Sequence, residues 1–182
     1  PRGNDRPDRR IARRADRVRG APRGRGDPHP GARRPVIVPA VNLLLYATVT
    51  GFPQHERSRV WWEGVLNGSV TVGLASPAVF GYLRIATNGR VLASPASVAE
   101  ALGQVRGWLA QPNVTFLRPG PRHLDICFGL LETLGTGGNL TTDIQLAAHA
   151  IEEDAELHSH DMDFGRFPDL HWIDPLRAKR RT

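Results

Sequence analysis

From Val36 onward the chain alternates short β-branched or apolar runs with longer amphipathic stretches, and this alternation restricts the fold more than any other feature. Val36-Ile37-Val38 predicts a buried strand, and after Pro39-Ala40-Val41-Asn42 the run Leu43-Leu44-Leu45-Tyr46-Ala47 opens a helix. His55 to Leu66 reads as an amphipathic helix with Val60, Trp61 and Val65 toward one side. Val70 to Ala75 is a second strand, and Ser76-Pro77 has the form of a helix start, Ser at N-cap and Pro at N1. Further helices are predicted over Ser97–Gln111, Pro121–Leu134 and Ile144–Asp154, and further strands over Val114–Leu117, Glu156–His160 and His171–Ile173. Strands that alternate with helices form a parallel α/β sheet covered on both faces. Ligands of such sheets bind outside the carboxyl ends of the strands.

Charge divides the chain in two. Residues 1–35 hold 12 Arg against 4 Asp, a balance of +8, whereas residues 36–182 hold 12 Lys and Arg against 14 Asp and Glu, a balance of −2. The Arg, Gly and Pro of residues 1–35 cannot bury enough apolar surface to offset ordering entropy, so a disordered arm is expected there. Such an arm either adds non-specific phosphate affinity or is an upstream extension foreign to the domain, and the abrupt onset of patterning at Val36 favours the extension. Residues 36–176 are then one domain and residues 177–182 a short basic tail. The lone cysteine, Cys127, excludes an internal disulfide framework and reads as a buried small hydrophobe. The apolar run Val36–Val49 is broken by Pro39 and Asn42 and is too short to span a bilayer, so no membrane association and a cytoplasmic location are expected.

The acidic residues gather near strand ends. In the helix Ile144–Asp154, Leu146, Ala147, Ala150 and Ile151 make one apolar stripe, and three residues before Leu146 the same stripe carries Asp143. A carboxylate there points toward the body of the fold. Asp161 and Asp163 follow the strand Glu156–His160, and an inward Asp with a D-x-D pair suits a hard divalent cation. A plainer reading makes Thr141 or Thr142 an N-cap, Asp143 a complement to the helix dipole, and Asp161 and Asp163 turn residues. Asn42, after the first strand, lies by position in the same region as Asp161 and Asp163.

Val38 to Ala47, Phe80 to Asn88, Gly138-Asn139-Leu140-Thr141-Thr142-Asp143 and Asp161 to Phe167 together resemble the PIN-domain toxins of the VapC family, in order and across Val36 to about Leu176. The resemblance implies a PIN-like three-layer α/β/α sandwich around a central, mostly parallel sheet. It implies a ribonuclease dependent on Mg²⁺ or Mn²⁺, a cognate antitoxin partner, an RNA substrate and a homodimer. Matched by position, Asp143, Asp161 and Asp163 are family metal-site acids and Asn42 is the Asn of the first motif. The chain departs from the family at Ala40, where an Asp central to metal binding normally stands, so impaired metal binding and cleavage are expected. Glu132 is not expected to substitute for it, and the region around Gly81 lacks an acid that many family members carry.

Arg84, Arg90 and Arg166 are candidate contacts to RNA phosphate, each with the alternative of a solvated surface charge. Trp61, Trp62 and Trp108 fall within helices and read as core or interface. His158, His160 and His171 invite comparison with zinc, but no further ligand spacing supports it. A D-x-D phosphatase would carry that motif after the first strand, and an EF-hand needs Gly and Glu where Arg166 and Trp172 stand. The remaining alternative to an enzyme is a non-catalytic PIN-like module that binds an antitoxin or RNA.

Overall fold

A computed structural model describes residues 35–177, so the expectations for the Arg-rich arm and the basic tail fall, apart from Pro35 and Arg177, outside the described residues. The elements are β1 (Val36–Pro39), α1 (Val41–Thr48), α2 (His55–Leu66), β2 (Thr71–Ala75), α3 (Ser76–Ala86), α4 (Val98–Leu109), β3 (Val114–Leu117), α5 (His123–Leu134), α6 (Thr141–Glu152), β4 (Glu156–His158) and β5 (His171–Ile173). The strands form one sheet in the order β3-β2-β1-β4-β5, and every pairing is parallel. The sheet is thus wholly parallel, with Val38 opposite Leu157 and Ile37 opposite Val72.

β1 and β2 are buried along nearly their whole length because helices cover both faces of the sheet, and their continuous apolar sequence reflects this. The edge strands β3 and β5 leave Thr115, Phe116, His171 and Ile173 exposed. The core is filled by Leu43 and Leu44 of α1, Leu74 of β2, Trp108 of α4, Ile144 and Leu146 of α6 and Leu157 of β4. α3 crosses α1 closely at Gly81, where an added Cβ would stand 2.5 Å from a methyl of Val41. α5 ends where the sequence places its break, at Gly135, which takes the left-handed conformation with φ +64°.

Several boundaries differ from the sequence reading. α1 begins at Val41, so Asn42 lies in its first turn and not in a loop. Ser76 is the first residue of α3, whose N-cap is Ala75, so Ser76 makes no cap there. Likewise α6 is preceded by Leu140, and neither Thr141 nor Thr142 serves as its cap. In α2 the buried residues are Ser58 and Trp62, whereas Val60 is 57% exposed. That side of α2 faces the core because Trp62 is buried there against Trp108, and the Ser58 hydroxyl donates to the Leu43 carbonyl of α1 at 2.9 Å. Among the described residues no helix is long and apolar enough to cross a membrane.

Candidate active site

β1 is flanked by β2 on one side and β4 on the other, so connections diverge at its carboxyl end and a crevice opens there. Ala40 sits at this point as the N-cap of α1, extended and 3% exposed, its N–H donating to the His158 carbonyl at 2.9 Å. Two residues on, the Asn42 amide Nδ2 donates to the Ser159 Oγ at 2.9 Å. The same oxygen accepts the backbone N–H of Asp161 at 3.1 Å. Ser159 is fully buried, and its carbonyl accepts the Trp172 indole N–H at 3.0 Å. This serine joins the start of α1 to the loop that carries Asp161, and the sequence reading passed over it. Its one sequence signal is a small hydroxyl between two histidines near the end of a predicted strand.

Asp143 lies half-buried in the first turn of α6. Its carboxyl is pushed up from 3.8 to about 6, first by burial and then by the negative charges of Asp161 and Asp163. The three carboxylates therefore share one region and repel one another. Asp161 and Asp163 are exposed, and Asp161 also serves the local turn, its Oδ1 accepting the Asp163 N–H at 2.9 Å. Arg166 stands beside this pair, 3.8 Å from Asp163. Arg84 is exposed and borders a depression of about 290 Å³ together with Phe80, Thr142 and Gln145, next to the N-terminus of α6. Arg90 lies in the exposed turn after α3, its backbone N–H donating to the Asn88 side-chain oxygen. Glu132 is exposed on α5.

The histidines are separately engaged. His158 pairs with Glu156 at 3.0 Å and stacks on Trp61 at 5.7 Å between ring centroids, while His160 Nδ1 meets both carboxylate oxygens of Asp174 at 3.0 and 3.1 Å. Trp62 and Trp108 are core residues packed edge to face, and Cys127 is buried, its thiol pushed up mainly by that burial. Among the described residues no three carboxylate, imidazole or thiol groups are disposed to hold a metal ion. Ala40 adds no ligand atom at the crevice, which leaves Asp143, Asp161 and Asp163 as the carboxylates that could hold a divalent cation there.

A five-stranded parallel sheet ordered 3-2-1-4-5 between helical layers, with Asp161 in the loop after β4 and Asp143 at the start of α6, defines a PIN-like α/β domain. The solved VapBC-1 of nontypeable Haemophilus influenzae aligns with a TM-score of 0.58 at 18% identity, over 78% of this chain and 99% of that one. Mycobacterium tuberculosis VapC20, described as a sarcin–ricin loop cleaving toxin, aligns with a TM-score of 0.56 at 11% identity, over 74% and 98%. At such identities the likeness shows the fold alone. No family model matches the sequence. The chain is, however, 61% identical over 142 residues to Ribonuclease VapC33 of Mycobacterium tuberculosis, covering 78% of this chain and 99% of that protein. It is 40% identical over 134 residues to Ribonuclease VapC37 of the same organism, covering 74% and 93%. The chain belongs to the VapC ribonuclease family.

Proposed function

We propose that the protein is the toxin of a type II toxin–antitoxin pair, an endoribonuclease that hydrolyses RNA phosphodiesters in the cytoplasm with Mg²⁺ or Mn²⁺ and whose cleavage is impaired by Ala40. The observation that carries this reading is the 61% identity to Ribonuclease VapC33, supported by Asp143, half-buried and within reach of the negative charges of Asp161 and Asp163. Carboxylates that repel one another are stabilised by a cation, and Asp143, Asp161 and Asp163 are the candidate ligands and catalytic acids. With a methyl at position 40, the cluster lacks one ligand and one negative charge. The chain's own residues bind and orient the substrate: Asn42, fixed by Ser159, presents its amide at the crevice, and Arg84 and Arg166 offer donors to phosphate. Arg90 is a further candidate phosphate contact.

A cognate antitoxin is the proposed protein partner, supported by the VapBC assemblies among the structural neighbours. Phe80, Leu124 and Phe128, each more than half exposed, give apolar surface for protein contacts on either side of Gln145, which suits both an antitoxin and a second copy of the chain. A non-catalytic module that binds antitoxin or RNA is the competing reading, and Ala40 at the crevice favours it.

The substitution Ala40→Asp separates the two. Without metal it places a carboxylate at a buried position beside three others and lowers the melting temperature. With millimolar Mn²⁺ the order inverts, because a cation bound only by the folded state adds stability, and cleavage of a structured RNA appears. Identical metal responses and no cleavage by either chain would leave the binding module as the function.

A further inference from the structure

The chain holds two Asn-Gly pairs, Asn67-Gly68 and Asn88-Gly89, each just past the end of a helix, and the fold treats them in opposite ways. An Asn followed by Gly is open to attack on its side-chain carbon by the glycine's own nitrogen, because no Cβ shields that nitrogen. At Asn67 the reacting groups are tied down. The Asn67 Nδ2 donates to the Glu63 carbonyl at 2.8 Å, and the Gly68 N–H donates to the Val65 carbonyl at 3.2 Å. The Gly68 carbonyl in turn accepts the Asn113 Nδ2 at 3.3 Å. At Asn88 the same groups are free: Gly89 is exposed, and neither its N–H nor the Asn88 Nδ2 has a hydrogen-bond partner among the described residues. The Asn88 Oδ1 accepts the Arg90 N–H at 2.9 Å, an Asx turn that draws electron density from the carbon to be attacked. The Asn88 carbonyl also accepts the N–H groups of Val91 and Leu92, each at 3.0 Å. Leu92 is 8% exposed and helps to wall a cavity of about 660 Å³ with Phe52, Tyr82 and Ala101.

We propose that Asn88 is a self-modification site, where the folded chain permits the deamidation that it suppresses at Asn67. The Gly89 nitrogen bonds to the Asn88 side-chain carbon and gives its proton to hydroxide, while the Arg90 N–H steadies the oxyanion that forms. The Nδ2 takes a proton from water, which returns the hydroxide, and leaves as ammonia as an imide ring closes. Water then opens the ring at either carbonyl and leaves an aspartate or an isoaspartate at position 88. The isoaspartate carries one extra main-chain carbon and replaces the carbonyl that holds Val91 and Leu92. A negative charge also appears beside Arg90. The turn that seats Leu92 against the cavity therefore loosens as the protein ages. The reaction is independent of what the carboxylate crevice binds.

The test is peptide mapping by mass spectrometry of the full chain aged at mildly alkaline pH, in buffer and in urea, with isoaspartate counted by an isoaspartyl methyltransferase. In urea the two Asn-Gly pairs should react alike, because both are then unfolded. In buffer Asn67 should slow by about tenfold or more, whereas Asn88 should stay within about threefold of its rate in urea. Gly89→Ala should slow Asn88 and leave Asn67 unchanged. A Cβ at Gly89 would meet only the Pro95 Cγ, at 3.7 Å, so this variant has room to fold. Amide hydrogen exchange at Val91 and Leu92 should speed up in the isoaspartate-bearing chain. Equal protection of the two pairs in buffer, or faster reaction at Asn67, would overturn the proposal. Conversion to aspartate without any isoaspartate would show direct hydrolysis by water and overturn it as well. Unchanged exchange at Val91 and Leu92 would overturn the loosening of the turn.

Discussion

Asp143 keeps its proton to a higher pH in the folded chain than in the unfolded one, from 3.8 to about 6. The folded state therefore binds the extra proton between these values, and the stability it contributes is lost as pH rises through that window. Asp143→Asn should stabilise the domain above pH 6, by about 1–2 kcal/mol once solvent screening of a half-buried group is allowed for, and by little at pH 4. Urea melts at pH 4 and pH 8 check this; an equal difference at both would mean that the carboxyl is not crowded. Ser159→Ala leaves the Asn42 amide without its partner and should cost about 1–3 kcal/mol. Asn42→Ala on top should add little, because the two groups share one bond, and a double-mutant cycle reads the coupling. The inward aim of Asp143 was legible from the apolar stripe, since helix periodicity is local. Ser159 was not, because its partner Asn42 lies 117 residues away and no local pattern carries that distance.

Buried strands β1 and β2 declared themselves through unbroken apolar sequence and α4 through its apolar spacing, whereas the capping box that Ser97 and Glu100 close at the start of α4 went unread. The orientation of α2 was legible only in part, since Trp61 and Val65 pack against the core while Val60 is exposed and Ser58 and Trp62 are the buried residues. Glu156–His160 was read as one strand, yet β4 stops at His158, where Ser159 turns to serve Asn42 and Asp161. The close approach of α3 to α1 was invisible in sequence. Gly81→Ala should drive a methyl into Val41 and destabilise by about 1–3 kcal/mol. Pairing it with Val41→Ala should recover part of the loss in thermal melts, whereas simple additivity would place the close approach elsewhere.

The order 3-2-1-4-5 cannot be read from alternation alone, which gives a parallel sheet but not which strands neighbour one another. Charge, by contrast, is fully legible: removing residues 1–35 takes the chain from +6 to −2. Thermal melts of the full and shortened chains should overlay, because residues 1–35 hold too little apolar surface to add to a core. The salt dependence of RNA affinity should flatten on shortening, by about 0.7 in the log–log slope for each phosphate that is no longer neutralised. An unchanged slope would show that the arginines touch no phosphate. The sheet order also governs when the crevice comes into being. Its two walls, α1 and the loop after β4, are joined through Asn42 and Ser159 across most of the domain's length. A ribosome making this chain from its N-terminus releases β1 early and β4 late, so no partial crevice exists during elongation. No site therefore stands beside the RNA being translated until β4 has been made and has joined β1.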